Sequence, residues 1–173
     1  AVLESERPDL VVFTGDAVKG NRCSDPLKRL LDILELPEKY EIPYAFAFGN
    51  HDSENDVYTR GEMMDALSQR DLCLAEAGPD DVTGVGNYVM TVAGSAGEEL
   101  QAAMYVLDTG CAAPREIVKS YAWLERNQID WYIQESGRLT GINQGPLPAL
   151  AFFHIPLPEY NDVWDFHLCR GGK

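Results

Sequence analysis

Short apolar runs punctuate this chain at intervals that suit strands, and longer amphipathic stretches lie between them. Leu10 to Thr14 is an apolar run with β-branched residues, closed by Gly15, and it reads as a strand buried on both faces of a parallel sheet. Ala1 to Arg7, stopped by Pro8, reads as the tail of a helix before it. Asp25 followed by Pro26 has the form of a helix N-cap with proline at the first helical position. Leu27, Leu30, Leu31, Ile33 and Leu34 then recur at helical spacing up to Pro37. Ile42 to Phe48 reads as a second strand, closed by Gly49, and Thr59 to Gln69 as a helix. Tyr88 to Val92 and Ala103 to Leu107 form a strand pair joined by a Gly-rich turn. Tyr121 to Glu135 predicts a helix, with Ala122, Leu124, Ile129, Trp131, Tyr132 and Ile133 as its apolar contacts. Ala149 to Phe153 predicts a last strand ahead of a Pro-rich loop.

This alternation predicts an α/β sandwich with a mixed sheet. Right-handed crossovers would set the strand C-terminal ends along one edge, where ligands of open α/β sheets bind. The 173 residues suit one domain, and 45% apolar composition argues against disorder. No apolar run reaches the roughly 20 residues of a spanning helix. With 14 basic and 28 acidic residues the formal charge is −14, which disfavours nucleic-acid binding through a basic face. The same charge repels phosphorylated substrates unless a bound cation reverses the sign locally. The four cysteines form no C-x-x-C pair and read as ordinary thiols. Neither a signal-peptide pattern nor an Asn-x-Ser/Thr sequon is visible, which favours a soluble, cytoplasmic location while leaving the compartment open. No Gly-rich nucleotide-binding motif occurs, which disfavours a nucleotide-binding α/β domain.

Three strands end in residues that are poor strand formers and good metal ligands. The first gives Thr14-Gly15-Asp16, the second Gly49-Asn50-His51-Asp52 and the last Phe153-His154. Taken singly, a Gly-Asp is usually a turn and a lone histidine usually a core residue. One such group after each of three strands is more specific. Carboxylate, amide and imidazole together suit Mn, Fe, Zn or Mg.

Pro8 to Asp16, Phe48 to Asp52 and Phe152 to Tyr160 resemble the middle motifs of the calcineurin-like metallophosphoesterase superfamily. Within it they are most similar to the purple-acid-phosphatase-like branch of plants and fungi, which includes dosage-dependent cell-cycle regulator phosphatases. Gly86 to Val89, Leu107 to Gly110, Trp123 and Trp131 match runs of that branch, so the resemblance covers nearly the whole chain. It implies a metal-dependent phosphoesterase acting on phosphorylated small molecules or phosphoproteins, with two ions about 3.5–4 Å apart clamping the phosphate. It implies Asp16 as the bridging carboxylate, and Asn50 and His154 as ligands of the second metal. His51 would stabilise the transition state or protonate the leaving group, and Asp52 would orient His51 through its other ring nitrogen. A His51 protonated on both nitrogens would lose that role, so activity is expected to depend on pH.

The chain departs from the pattern in several places. No Asp-x-His precedes Asp16 and no Gly-His-x-His follows His154, so the expected fold lacks a first strand and a C-terminal part. One metal shell is then mostly kept and the other keeps Asp16 alone. His167 is the remaining histidine and a weak substitute ligand. Lys19 stands where the purple enzymes have tyrosine, and Ala17 where the branch often has Asn. The expectation is therefore a phosphoesterase impaired in these residues alone, or a non-catalytic, degenerate phosphoesterase-fold binding module.

Overall fold

The computed structural model describes residues 2–54, 57–97, 99–117 and 119–160, so the expected role of His167 lies outside the described residues. The elements run α1 (Val2–Glu6), β1 (Val11–Phe13), α2 (Pro26–Lys39), β2 (Tyr44–Phe46), α3 (Arg60–Ser68), β3 (Tyr88–Ala93), β4 (Leu100–Val106), α4 (Arg126–Asn143) and β5 (Ala149–Phe152).

Among the described residues the strands form two sheets. In one, β1 and β2 pair in parallel, with Val12 opposite Ala45. In the other, β3 and β4 are antiparallel and β5 joins β4 in parallel, giving a mixed β3-β4-β5 order. This is the expected α/β architecture, with the mixed orientation confined to one of the two sheets. Beyond β2 the chain 72–74 extends the first sheet: Tyr44 N–H donates to the Leu72 carbonyl and Leu74 N–H to the Tyr44 carbonyl.

The core lies between these layers. Leu30 and Leu34 of α2, Tyr44, Phe46 and Phe48 of the second strand region, and Met63, Met64 and Leu67 of α3 are all fully buried. The strand run Tyr44 to Phe48 is buried at every position, which is why it reads as continuously apolar instead of alternating. Tyr88 ties the two sheets. Its hydroxyl accepts from Phe46 N–H at 3.0 Å and donates to the Phe46 carbonyl at 3.0 Å, so a side chain satisfies both backbone groups of one residue in the buried strand.

Helix ends follow local chemistry. Asp25 accepts from Lys28 N–H, and Thr59 and Glu62 form a reciprocal capping box at α3. Three helix boundaries differ markedly from expectation, one being the end of α4, which runs to Asn143 instead of Glu135. α2 runs past Pro37 to Lys39, because proline in the last turn leaves one backbone bond missing while its own carbonyl accepts from Tyr40 and Ile42. α4 starts at Arg126, not Tyr121: Tyr121 bridges Ala112 in extended backbone, and Glu125 N–H donates to Gln128 Oε1 at the true start. Its inward face is Gln128, Trp131 and Leu139, while Ile129 and Ile133, expected as contacts, are exposed.

Candidate metal centre and phosphoryl site

The three polar groups read from the sequence do come to one edge. β1 ends into Thr14-Gly15-Asp16, β2 into Gly49-Asn50-His51-Asp52, and β5 into Phe153-His154. Glycine makes the approach possible. A Cβ on Gly49 would sit 2.2 Å from Asp16 N and Oδ1, and one on Gly15 would sit 2.6 Å from Gly49 N and from His154 Nδ1. Gly15 also has φ +94°, which side chains rarely adopt. The next residue, Asp16, is left-handed as well, with φ 56°, an uncommon conformation that aspartate tolerates better than most.

Asp52 holds that conformation. Its carboxylate is fully buried and accepts three backbone N–H groups: Asp16 at 3.0 Å, Gly49 at 2.7 Å and Val18 at 3.0 Å. Burial pushes this carboxyl above its ordinary value, against the pull of the three donors. Asp52 thus latches the β1 turn to the β2 turn. The expected Asp52–His51 hydrogen bond is not formed, because both Asp52 oxygens are taken by backbone. The carboxylate on His51 is Glu54, whose Oε2 lies 2.8 Å from His51 Nδ1. Glu54 sits three residues after His51, in an acidic run (Asp52 to Asp56) that also suits a solvated turn, so its composition did not single it out.

Asp16 is the meeting point. Its Oδ1 accepts from His51 N–H at 2.9 Å. Its Oδ2 lies 3.2 Å from His154 Nε2 and 3.9 Å from His51 Nε2. His154 Nδ1 is 2.8 Å from the Thr14 carbonyl. A carbonyl can only accept, so the hydrogen is on Nδ1 and the Nε2 lone pair faces the Asp16 carboxylate. Two acceptors at this separation call for a positive charge between them, either a proton or a metal ion. A backbone carbonyl on the far nitrogen is the usual way a ligating imidazole is oriented. Asp16 and His154 therefore fit part of one metal shell. Asn50, on the adjacent turn, lines a cavity of about 840 Å3. Among the described residues no group of three or more His, Cys, Asp and Glu side chains is placed to hold a metal ion.

One buried cation organises the surroundings. Arg60, at the first position of α3, donates to the Gly49 carbonyl at 2.8 Å, the Gly110 carbonyl at 3.1 Å and Cys111 Sγ at 2.9 Å, and it pairs with Asp108. Its guanidinium stacks over Phe48, 5.3 Å from the ring centre. Asp108 also accepts from Val85 and Gly110 N–H, and Gln128 Nε2 donates to the Asp108 carbonyl and to Asn87 Oδ1. Arg60 therefore joins the turn bearing Asn50 and His51 to the turn after β4. The sequence reading passed over it, since a single arginine at a helix start carries no spacing signal.

The model of the family described as calcineurin-like phosphoesterase matches residues 1–171. The chain belongs to that family. It is similar to "Probable inactive purple acid phosphatase 28" of Arabidopsis thaliana, with 36% identity over 94% of the chain and 45% of that protein. It is similar to "Probable inactive purple acid phosphatase 29" of the same plant, with 32% identity over 92% of the chain and 44% of that protein. It is also similar to "Phosphatase DCR2" of Saccharomyces cerevisiae, with 32% identity over 94% of the chain and 29% of that protein. The chain thus spans less than half the length of these relatives. No helix among its described residues is long and apolar enough to cross a membrane.

Proposed function

We propose that this chain carries the Asp16–Asn50–His154 side of a metal-dependent phosphoesterase centre, which in the intact protein hydrolyses phosphomonoesters, including phosphoproteins. The observation that carries the reading is the 3.2 Å approach of two acceptors, Asp16 Oδ2 and His154 Nε2, with the histidine's other nitrogen anchored on Thr14. The ion would be Mn, Fe or Zn, which accept this mixture of oxygen and nitrogen donors. When bound, such an ion supplies charge for the phosphoryl oxygens and lowers the pKa of a water for in-line attack. Asp16 and His154 would hold it, with the Asn50 amide as a neutral third donor. His51 donates Nδ1–H to Glu54 and turns Nε2 to the Asp16 side, so it is the doubly protonated ring, not the neutral one expected from the resemblance, that would give a proton to the leaving oxygen. Asp52 serves as the positioning residue for Asp16.

The test is phosphate release by the intact protein, stripped with chelator and reloaded with Mn or Fe, from p-nitrophenyl phosphate and a phosphopeptide. Asp16→Asn should abolish release and also abolish the rise in Tm produced by the metal alone. Turnover unchanged in Asp16→Asn refutes the assignment.

A second reading is favoured by the small ligand set and by the two plant relatives, which are named probable inactive purple acid phosphatases. In it the fold is a non-catalytic module that binds a partner or one metal ion. No phosphate release with any of these metals, alongside partner binding that persists in chelator, would select it.

A further inference from the structure

The cavity beside the candidate centre differs in charge from the rest of the chain. Asn50 and Glu54 reach it from the β2 turn, and the opposite wall is the excursion that follows β4. That excursion is pinned at its base by the Ala112–Tyr121 bridge, with Ala113 N–H donating to the Ser120 carbonyl at 3.0 Å, and inside it Ile117 N–H donates to the Pro114 carbonyl at 2.9 Å. It is fixed to the site side by Cys111, which accepts from Arg60. On this wall stand Arg115 and Lys119, in a chain of formal charge −14. Six other basic side chains pair with carboxylates within the fold: Lys28, Arg29, Arg60, Arg70, Arg126 and Arg138. Among the described residues, neither Arg115 nor Lys119 takes part in an ion pair. Among the described residues the carboxylate lining the cavity is Glu54, which is engaged by His51. At about 840 Å3 the cavity is far larger than a phosphoryl group needs, and Tyr121 on its rim continues into a second cavity of about 390 Å3 with Trp123 and Pro156.

We propose that this cavity is a subsite for the substrate beyond its phosphoryl group, and that Arg115 and Lys119 select phosphopeptides carrying acidic side chains next to the phosphorylated residue. The inference rests on the phosphoesterase reading above and adds the substrate class. Unpaired cations facing a cavity attract carboxylates locally even where the net field is negative, and the preference should weaken with salt. The apolar, aromatic second cavity gives a peptide chain somewhere to continue, which a compact polyphosphate would not use.

The test is fluorescence anisotropy with the intact protein and two labelled peptides bearing a non-hydrolysable phosphonate. One has Glu on both sides of the phosphonate and the other Gln. Wild type should bind the Glu peptide roughly three- to tenfold tighter, the range expected of two exposed ion pairs, with the difference vanishing at high salt. Arg115→Gln with Lys119→Gln should erase the difference, chiefly by weakening the Glu peptide. Reversal with Arg115→Glu and Lys119→Glu should make the Gln peptide the tighter ligand. Equal binding of the two peptides by wild type overturns the proposal, as does an equal loss for both in the double variant. Displacement of both peptides by a nucleoside diphosphate at lower concentration than by either peptide also overturns it, in favour of a small polyphosphate. Because the readout is binding, its failure is distinct from failure of the catalytic reading, which the Asp16→Asn phosphate assay reports.

Discussion

Replacing Arg60 by methionine should destabilise this protein more than any other single change to a charged side chain. The Arg60 and Asp108 side chains are only 10% and 2% exposed, so the pair is removed from water almost completely. Methionine keeps an apolar side chain of similar reach but removes the guanidinium from over Phe48, leaves the Asp108 carboxylate without a countercharge and the Gly49 and Gly110 carbonyls without their guanidinium donor. Breaking a buried ion pair by removing one partner costs about 3–5 kcal/mol. Asp108 retains its bonds from Val85 and Gly110 N–H, which favours the lower end of that range. Against a total stability of roughly 5–15 kcal/mol this is a large fraction. Urea unfolding followed by tryptophan fluorescence measures it, and Arg60→Lys should lose roughly half as much, because one ammonium cannot span the carboxylate and both carbonyls together. Adding Asp108→Asn to Arg60→Met should recover part of the loss, about 1–3 kcal/mol of coupling. A loss under about 1 kcal/mol in Arg60→Met, or strict additivity in the double variant, would refute the reasoning that Arg60 clamps the two turns through a desolvated charge pair.

Other changes probe separate parts of the structure. Tyr88→Phe removes the hydroxyl shared by Phe46 N–H and C=O and should cost about 1–3 kcal/mol by urea unfolding, the penalty for leaving buried backbone unpaired. Gly49→Ala would bring a methyl 2.2 Å from Asp16 N and Oδ1, so it should lower Tm by more than any exposed Gly→Ala, such as Gly137→Ala, which meets nothing nearby. Glu38 is held below its ordinary value mainly by its hydrogen bond from Arg70, despite the opposing effect of burial. A folded value below the unfolded one means that its contribution is present above the unfolded carboxylate range, near pH 4.3, and is lost as pH falls through the lower folded value. Wild type should therefore lose more stability than Glu38→Gln between pH 6 and pH 3, and parallel profiles would count against the linkage.

Much of this protein was legible from residue order. The Asp25-Pro26 start of α2, the buried run Tyr44 to Phe48 and the antiparallel β3–β4 pair follow from capping, period and turn chemistry, which act over a few residues. The three strand-end groups were legible too, because Asp, Asn and His after an apolar run are chemically out of place there. Partnership across the fold was not. Asp52 looked like the companion of its sequence neighbour His51, yet its oxygens face the backbone of residues 16, 18 and 49, and Glu54 takes the imidazole. Arg60 and Asp108 lie 48 residues apart and meet only because the β2 and β4 turns share one edge. The α4 start and its inward face were likewise set by the Ala112–Tyr121 bridge and by Gln128 reaching Asn87, not by helical periodicity. Local sequence fixes which backbone conformations are cheap. Which buried polar groups satisfy one another depends on where distant turns are brought together, and that is decided by packing of the whole chain.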